Sequence, residues 1–325
     1  MPEPTYVEGQ TRLYRGDARL LLAEPIGTVQ AVVTDPPYEL GIDGHRWDRT
    51  GVAFDARFWR RVLSHVIPGG WGIVFGAPRF LGKLHLALED GGWQVEDTGA
   101  WIYGSGFPKG RTRLKPAWEP WVLCRRPGPS RELNVDGAGI GGAPPQPGAG
   151  SHRVRDSFVR YKPGLPPAIL PGRSSRYPTN LVIDDEAAAE LDRQSGHSKS
   201  RRGVMQHKPR PGDLYLENRT VPNVAGHDDE GGASRFFYVA KPSKREKDRA
   251  NIHVSVKPLD LMRHLVELVS FEGDTVLDPF LGSGTTAVAC QALGRRCIGI
   301  ELDQRSLDVA RRRLYRATVR NGALR

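Results

Sequence analysis

Cysteine is scarce. The 325-residue chain has three, Cys124, Cys290 and Cys297. They show no metal or redox spacing, which excludes a disulfide scaffold and a cysteine-built zinc site. A reduced, cytoplasmic compartment is therefore expected. Long apolar runs are missing too, since none approaches the length that spans a bilayer. The first residues, Met1-Pro2-Glu3-Pro4, lack the basic-then-apolar pattern of a secretion signal. No membrane partner is expected, and no internal repeat recurs at a fixed period. Glycine and proline are abundant, at 38 and 26 residues. They predict long irregular stretches within a globular composition.

Charge is unevenly placed. The net charge is +10. Between 105 and 250, 26 Lys and Arg stand against 16 Asp and Glu, so the whole surplus lies there and the flanks are neutral. A basic segment between neutral flanks is the footprint expected of chain lying on a polyanion. A GC-rich genome, which favours Arg, Gly and Pro codons, does not explain the neutral flanks. Residues 137–150 hold nine Gly or Pro in fourteen positions. Such a stretch cannot build a core, and about 125–180 is expected to be flexible.

A β–α–β rhythm runs through the first hundred residues. Leu13 to Gly16 reads as a strand, then a helix follows Asp17. Gln30 to Thr34 reads as a buried strand. Phe58, Val62 and Val66 have helical spacing, and Pro68-Gly69-Gly70 breaks the helix. Trp71 to Gly76 is a strand, Leu81 to Leu88 a helix, and Trp93 to Tyr103 a strand. From Gly104 a basic loop begins, carrying Lys109, Arg111, Arg113 and Lys115, then Trp118-Glu119-Pro120-Trp121. The two tryptophans are expected in the core, with base stacking as the alternative. Order returns at Arg235 to Ala240. A helix opens at Lys257-Pro258, and a strand–turn–helix–strand unit follows from Val276 to Glu301. This rhythm implies a mostly parallel sheet with helices on both faces. Two halves, 1–104 and 251–325, would form one domain around a basic 105–250 insertion.

Two motifs carry chemistry. The first is Asp35-Pro36-Pro37-Tyr38, at a strand end, where ligands of open α/β sheets gather. A carboxylate and a fixed backbone carbonyl can accept hydrogen bonds from an exocyclic amino group, and Tyr38 can stack on its ring. A Pro-Pro turn with one core tyrosine would look the same. Asp17 is expected beside Asp35 at the same sheet edge, as a helix cap, a ligand contact or both.

The second motif is strand, Asp278, Gly282-x-Gly284, helix, strand, Glu301. Glycines admit a ligand close to the backbone, and an acid ending the second strand can bind both hydroxyls of a ribose. A dinucleotide fingerprint would need Gly at 287, where Ala stands, and no Lys follows the glycines to make a phosphate loop. An acid before the turn repels pyrophosphate but suits a sulfonium or an ammonium. That favours S-adenosylmethionine.

Together, Asp35-Pro36-Pro37-Tyr38 and Asp278-Pro279-Phe280-Leu281-Gly282-Ser283-Gly284 resemble the motifs of prokaryotic and phage DNA amino-methyltransferases. The tetrad precedes the cofactor loop, as in the permuted β class of that family. The resemblance covers about 11–125 and 235–316. It implies a Rossmann-like methyltransferase fold in permuted order with a long irregular insertion for target recognition. It also implies S-adenosylmethionine as cofactor and double-stranded DNA as partner. Asp35 and the Pro36 carbonyl would hold the target amino group, and Pro37 and Tyr38 would complete the tetrad. Asp17 would contact the adenine of the cofactor. Asp278, Phe280, Gly282, Gly284 and Thr285 would line its methionine and adenosine, and Glu301 would bind its ribose. Lys257 and Pro258 match the family's T-V-K-P segment, with Ser255 in place of Thr. Lys109, Arg111, Arg113 and Lys115 would bind DNA. A cognate restriction endonuclease and a homodimer are compatible with the resemblance, and no residue specifies either.

The implied reaction needs no covalent intermediate. A carbon-5 cytosine methyltransferase would need a nucleophilic cysteine, typically after proline, and none of the three cysteines follows one. There is no H-x-E with C-x-x-C for a zinc deaminase. In the resembled family, Asp at the first tetrad position accompanies adenine more often, so N6 of adenine is preferred and N4 of cytosine is the alternative. An RNA or protein amide methyltransferase usually has the opposite motif order. A non-catalytic DNA-binding protein would not keep both motifs intact.

Overall fold

The computed structural model describes residues 2–41, 46–104, 106, 111, 114–141, 176–199, 203–206, 220–224, 229–240 and 256–322. In chain order the first elements are β1 (Tyr6–Glu8), β2 (Thr11–Arg15), α1 (Ala18–Leu21), β3 (Val29–Thr34), α2 (Ala56–His65), β4 (Val66–Phe75), α3 (Leu81–Asp90) and β5 (Gln94–Ile102). Next come β6 (Trp118–Arg125), β7 (Leu181–Asp184) and α4 (Asp185–Ser195). Four short strands follow, β8 (Ser198–Lys199), β9 (Gly203–Gln206), β10 (Thr220–Val224) and β11 (Glu230–Gly231). The chain closes with β12 (Tyr238–Ala240), α5 (Leu259–Val269), β13 (Thr275–Asp278), α6 (Thr285–Ala292), β14 (Arg296–Glu301) and α7 (Gln304–Gly322).

Ten strands make one sheet in the order β1-β2-β14-β13-β3-β4-β6-β5-β7-β12. The pairs from β2 to β4 are parallel, and β6 runs antiparallel to both β4 and β5. Alternate strand residues pack on opposite helical layers. Val276 and Cys297 meet α5, α6 and α7, while Leu277, Ile298 and Ile300 join the layer of α1, α2 and α3. The helices thus cover both faces, as the periodicity predicts. Local chemistry sets the helix starts. Asp17, Asp55 and Asp184 each cap a helix by accepting a backbone N–H in its first turn, and Pro258 precedes α5.

The topology positions the site. From β3 the chain crosses to β4 on one side, whereas from β13 it crosses to β14 on the other. The strand order therefore reverses between β3 and β13, the place where open sheets bind ligands. Both motifs sit there, one at the end of each strand.

Three details differ from the sequence expectation. The segment Pro68-Gly69-Gly70 does not end a helix before a separate strand but lies inside β4, at a register shift opposite Val29 and Ala31. Residues 118–125, assigned by sequence to the basic 105–250 insertion, form an interior strand of the sheet, and β7 and β12 from the same segment extend it. Asp17 and Asp35 share the carboxyl edge but not adjacent strands, because β14 and β13 stand between β2 and β3.

Candidate active site

One cleft of about 1520 Å³ opens along the carboxyl edge of the sheet. It brings together Asp17, all four residues 35–38, Lys257, Asp278, Phe280, Gly282, Thr285 and Glu301, with Lys115 at its margin. Of the residues assigned to the cofactor, Pro258 and Gly284 do not line it. Gly284 works behind the wall. Its φ is +83°, and an added Cβ would stand 2.7 Å from the Ala310 Cβ of α7. That glycine lets two helices approach, whereas Gly282 faces the cleft. Lys109 and Arg113 lie outside the described residues, and Arg111 is exposed.

At the β3 end, the Asp35 Oδ2 accepts from the Lys257 ammonium at 2.6 Å. Lys257 is 6% exposed and also pairs with Glu119 Oε2 at 3.0 Å. The same Glu119 oxygen accepts from the Tyr38 hydroxyl at 3.1 Å. The Lys257 ammonium lies over the Tyr38 ring, 5.2 Å from its centre. Burial raises the Asp35 carboxyl above the usual range, with Lys257 opposing it and Glu119 adding to it. Burial pulls the Lys257 ammonium down, but Asp35 and Glu119 outweigh it and the net shift is upward. Asp35 Oδ1 is buried without a hydrogen-bond partner. Among the described residues no backbone donor takes the Pro36 carbonyl either. Among the described residues these two acceptors at the tetrad therefore lack a hydrogen-bond donor.

The sequence expectation puts Lys257 at the cofactor. It lines the same cleft, and its ammonium reaches the tetrad acid, 222 residues away in sequence. Glu119 is not among the residues that the motifs single out. Its signal is an acid inside the run Trp118 to Cys124, where a partly buried carboxylate needs partners. The two tryptophans divide. Trp121 is core, edge-on to Phe75, while Trp118 is 39% exposed and lines the cleft.

At the β13 end, Asp278 is 2% exposed. Its Oδ1 accepts from Thr34 Oγ1 at 2.7 Å and from the Phe280 N–H at 3.1 Å. Among the described residues no cation pairs with it. Burial pushes its carboxyl up to about 6, against the hydrogen bonds from Thr286, Thr34 and the Phe280 N–H. A buried acid with neutral donors and no counter-charge fits a cationic sulfonium or ammonium. Glu301 accepts the Gly282 N–H at 2.7 Å on Oε2 and the Asp303 N–H at 2.8 Å on Oε1. Arg313 braces the loop from outside by donating to the Ser283 carbonyl and to Thr285 Oγ1. Asp17 bonds to Arg19, whose hydrogen bond chiefly holds its carboxyl below the usual range, and it still borders the cleft. These residues fit S-adenosylmethionine.

Comparisons with known proteins agree with this geometry. A family profile described as DNA methylase matches residues 29–312. The type II methyltransferase M.Cfr9I of Citrobacter freundii is 25% identical over 96% of this chain and 90% of its own length. The type II methyltransferase M2.DpnII of Streptococcus pneumoniae is 37% identical over 26% of this chain and 32% of its own length. Among solved structures, the PvuII DNA methyltransferase (cytosine-N4-specific) superposes with a TM-score of 0.54 at 14% identity, covering 98% of this chain and 93% of its own. The M1.HpyAVI–SAM complex gives 0.51 at 19% identity, covering 94% and 98%. These last two likenesses establish the fold, that of an S-adenosylmethionine-dependent methyltransferase. With the profile spanning both motifs and the cleft between them, the chain belongs to the N6/N4 DNA methylase family and is a DNA amino-methyltransferase that uses S-adenosylmethionine.

Proposed function

We propose that the chain methylates N6 of adenine at a specific site in double-stranded DNA. The observation that carries this reading is the pair of unclaimed acceptors, Asp35 Oδ1 and the Pro36 carbonyl, beside Tyr38. The amino nitrogen of a base is a poor nucleophile because its lone pair is delocalised into the ring. Two acceptors draw its protons into a fixed geometry and expose the lone pair. S-adenosylmethionine supplies the electrophilic methyl when bound. Asp278 and Glu301 hold it at the neighbouring strand end, so positioning and fixed electrostatics supply most of the gain. The base leaves the duplex to reach the cleft, at a cost on the order of a few kcal/mol. Tyr38 then stacks on it.

Adenine is favoured by Asp35, since Asp at this tetrad position accompanies adenine more often in the family. N4 of cytosine is the second reading, because the same acceptors serve either amino group. Digesting modified DNA to nucleosides and separating them by mass decides the point. N4-methylcytosine without N6-methyladenine would reject adenine and leave the rest standing.

The basic 105–250 segment is the proposed DNA path. Neutralising Lys109, Arg111, Arg113 and Lys115 together should weaken DNA binding and flatten its salt dependence, by about 0.9 in the log–log slope for each phosphate released. An unchanged slope would move the path elsewhere. The type II relatives suggest a restriction-modification setting in the cytoplasm, with a cognate endonuclease as companion. Single-molecule sequencing of DNA from cells expressing the protein tests the site specificity.

A further inference from the structure

Glu119 belongs to neither motif. It stands on β6 between Trp118 and Pro120, and its side chain is 24% exposed. Burying a charge is unfavourable unless it is paired, so a strand residue with only a packing role would be apolar. Here one oxygen, Oε2, does two things: it pairs with Lys257 at 3.0 Å and accepts from the Tyr38 hydroxyl at 3.1 Å. Lys257 in turn holds Asp35 Oδ2 at 2.6 Å.

We infer that Glu119 is a positioning residue for methyl transfer, acting through Lys257 and Tyr38 to fix which oxygen of Asp35 meets the target amino group. This rests on the reading of Asp35 as the acceptor. A free carboxylate can rotate and offer either oxygen. Lys257 occupies Oδ2, so the carboxylate plane is set and Oδ1 is the oxygen left without a partner. An ammonium has three rotatable donors and does not orient itself. Glu119 gives it a second anchor at 3.0 Å. Because Tyr38 is tied to the same Glu119 oxygen, the ring that stacks on the base and the acid that accepts its hydrogen bond share one reference atom. The charge balance is also set here. One cation stands between two carboxylates, and Asp278 ends the adjacent strand. Lys257, Glu119, Tyr38 and Asp278 are the titratable groups that act on Asp35.

The test uses the full chain with Glu119→Gln, Glu119→Ala and Lys257→Met. Methyl transfer from tritiated S-adenosylmethionine to unmethylated DNA is followed from pH 5 to 9, and donor binding by calorimetry. Glu119→Gln should lower kcat about ten- to a hundredfold, the scale of a small misplacement, with the donor Kd unchanged. Glu119→Ala should lower it further, since it also frees Tyr38. The two charge changes should move the acid limb of kcat in opposite directions. Losing Glu119's negative charge eases Asp35 ionisation and moves the limb to lower pH. Losing Lys257's positive charge moves it to higher pH. A merely structural role would not produce opposite shifts. A wild-type kcat and pH profile in Glu119→Gln, or shifts of the same sign in both variants, would overturn the inference. Carbon NMR titration of the Asp35 carboxyl in the unliganded protein reads the same opposite shifts. If the wild type transfers no methyl to DNA, the functional reading fails, and the titration still shows whether Glu119 and Lys257 act on Asp35 in opposite directions. Should Glu119→Ala fail to fold, the near-isosteric Gln variant carries the decision.

Discussion

Asp35 and Asp278 end adjacent parallel strands, and the protein treats their charges in opposite ways. Asp35 pairs with a cation, Lys257, through Oδ2, and its Oδ1 is buried with no hydrogen-bond donor among the described residues. Asp278 has neutral donors, Thr34 and the Phe280 N–H on one oxygen, with Thr286 also holding its carboxyl down, and among the described residues no counter-ion. The difference tells what each acid awaits. A compensated carboxylate with a free lone pair is an acceptor for a neutral donor such as an amino group. An uncompensated buried carboxylate is short of positive charge and suits a cation. On the proposed reading, one sheet edge separates target from methyl donor by local electrostatics, within the width of two strands.

The largest effect that tests this division is Asp35→Ala. It should lower methyl transfer by roughly two to three powers of ten or more, as removing an aligned electrostatic partner does. Calorimetry should show donor binding intact. Loss of donor binding in a folded Asp35→Ala protein would show that the two acids share one ligand, and the division would collapse.

Much of this edge is readable in the sequence. Asp35, Asp278 and Glu301 each follow a short β-branched run, and in a parallel sheet such run ends converge on one edge. Glu119 and β6 are not readable, for a local reason. Pro116 and Pro120 bracket the strand start, and a basic loop precedes it, so the stretch looks irregular. In the fold Pro120 pairs opposite Ala100 and offers its carbonyl to the Gly76 N–H. Proline is tolerated where only an acceptor is needed. The destination of the Lys257 ammonium is hidden likewise. The resemblance places its neighbours in a cofactor segment, and only the tertiary fold sets it between two acids. Gly284 shows the converse. A glycine in a ligand motif can be required by the helix behind it.

Asp278→Asn comes next in size. It should weaken binding of the cationic donor by roughly one to three powers of ten, the range of a close opposite-charge interaction. The sign of the pH dependence follows from the raised value of about 6 in the unliganded protein. Above that pH the carboxyl is ionised and ready for a cation. Below it, binding a cation must expel a proton, so affinity falls as pH falls, by at most about tenfold per pH unit for one proton. Calorimetry from pH 5 to 8 should show affinity rising through about 6 and then levelling. The Asn variant should be flat over that range. Affinity that rises as pH falls would assign the cation to another group.

The smallest effect concerns the bond that joins the two ends. Thr34 is fully buried, is the last residue of β3, and donates its hydroxyl to Asp278 Oδ1 at 2.7 Å. Thr34→Val keeps the shape and removes the donor. An acceptor that loses its partner costs about 1–3 kcal/mol, and here Phe280 and Thr286 remain, so the lower end is expected. The donor favours the ionised form, so its loss raises the folded-state value of Asp278 further. The variant's stability deficit should therefore be full at pH 8, above both values, and should fade toward pH 5, where the acid is protonated in both proteins. The midpoint of donor affinity should move up with it. At pH 8 with saturating donor, methyl transfer should stay near wild type, because Lys257 and Glu119 still hold the Asp35 side. Denaturant unfolding at the two pH values and a saturated rate measurement check all three. If the rate falls as steeply as in Asp35→Ala, the two acids work as one unit and the boundary between target and donor does not lie at Thr34.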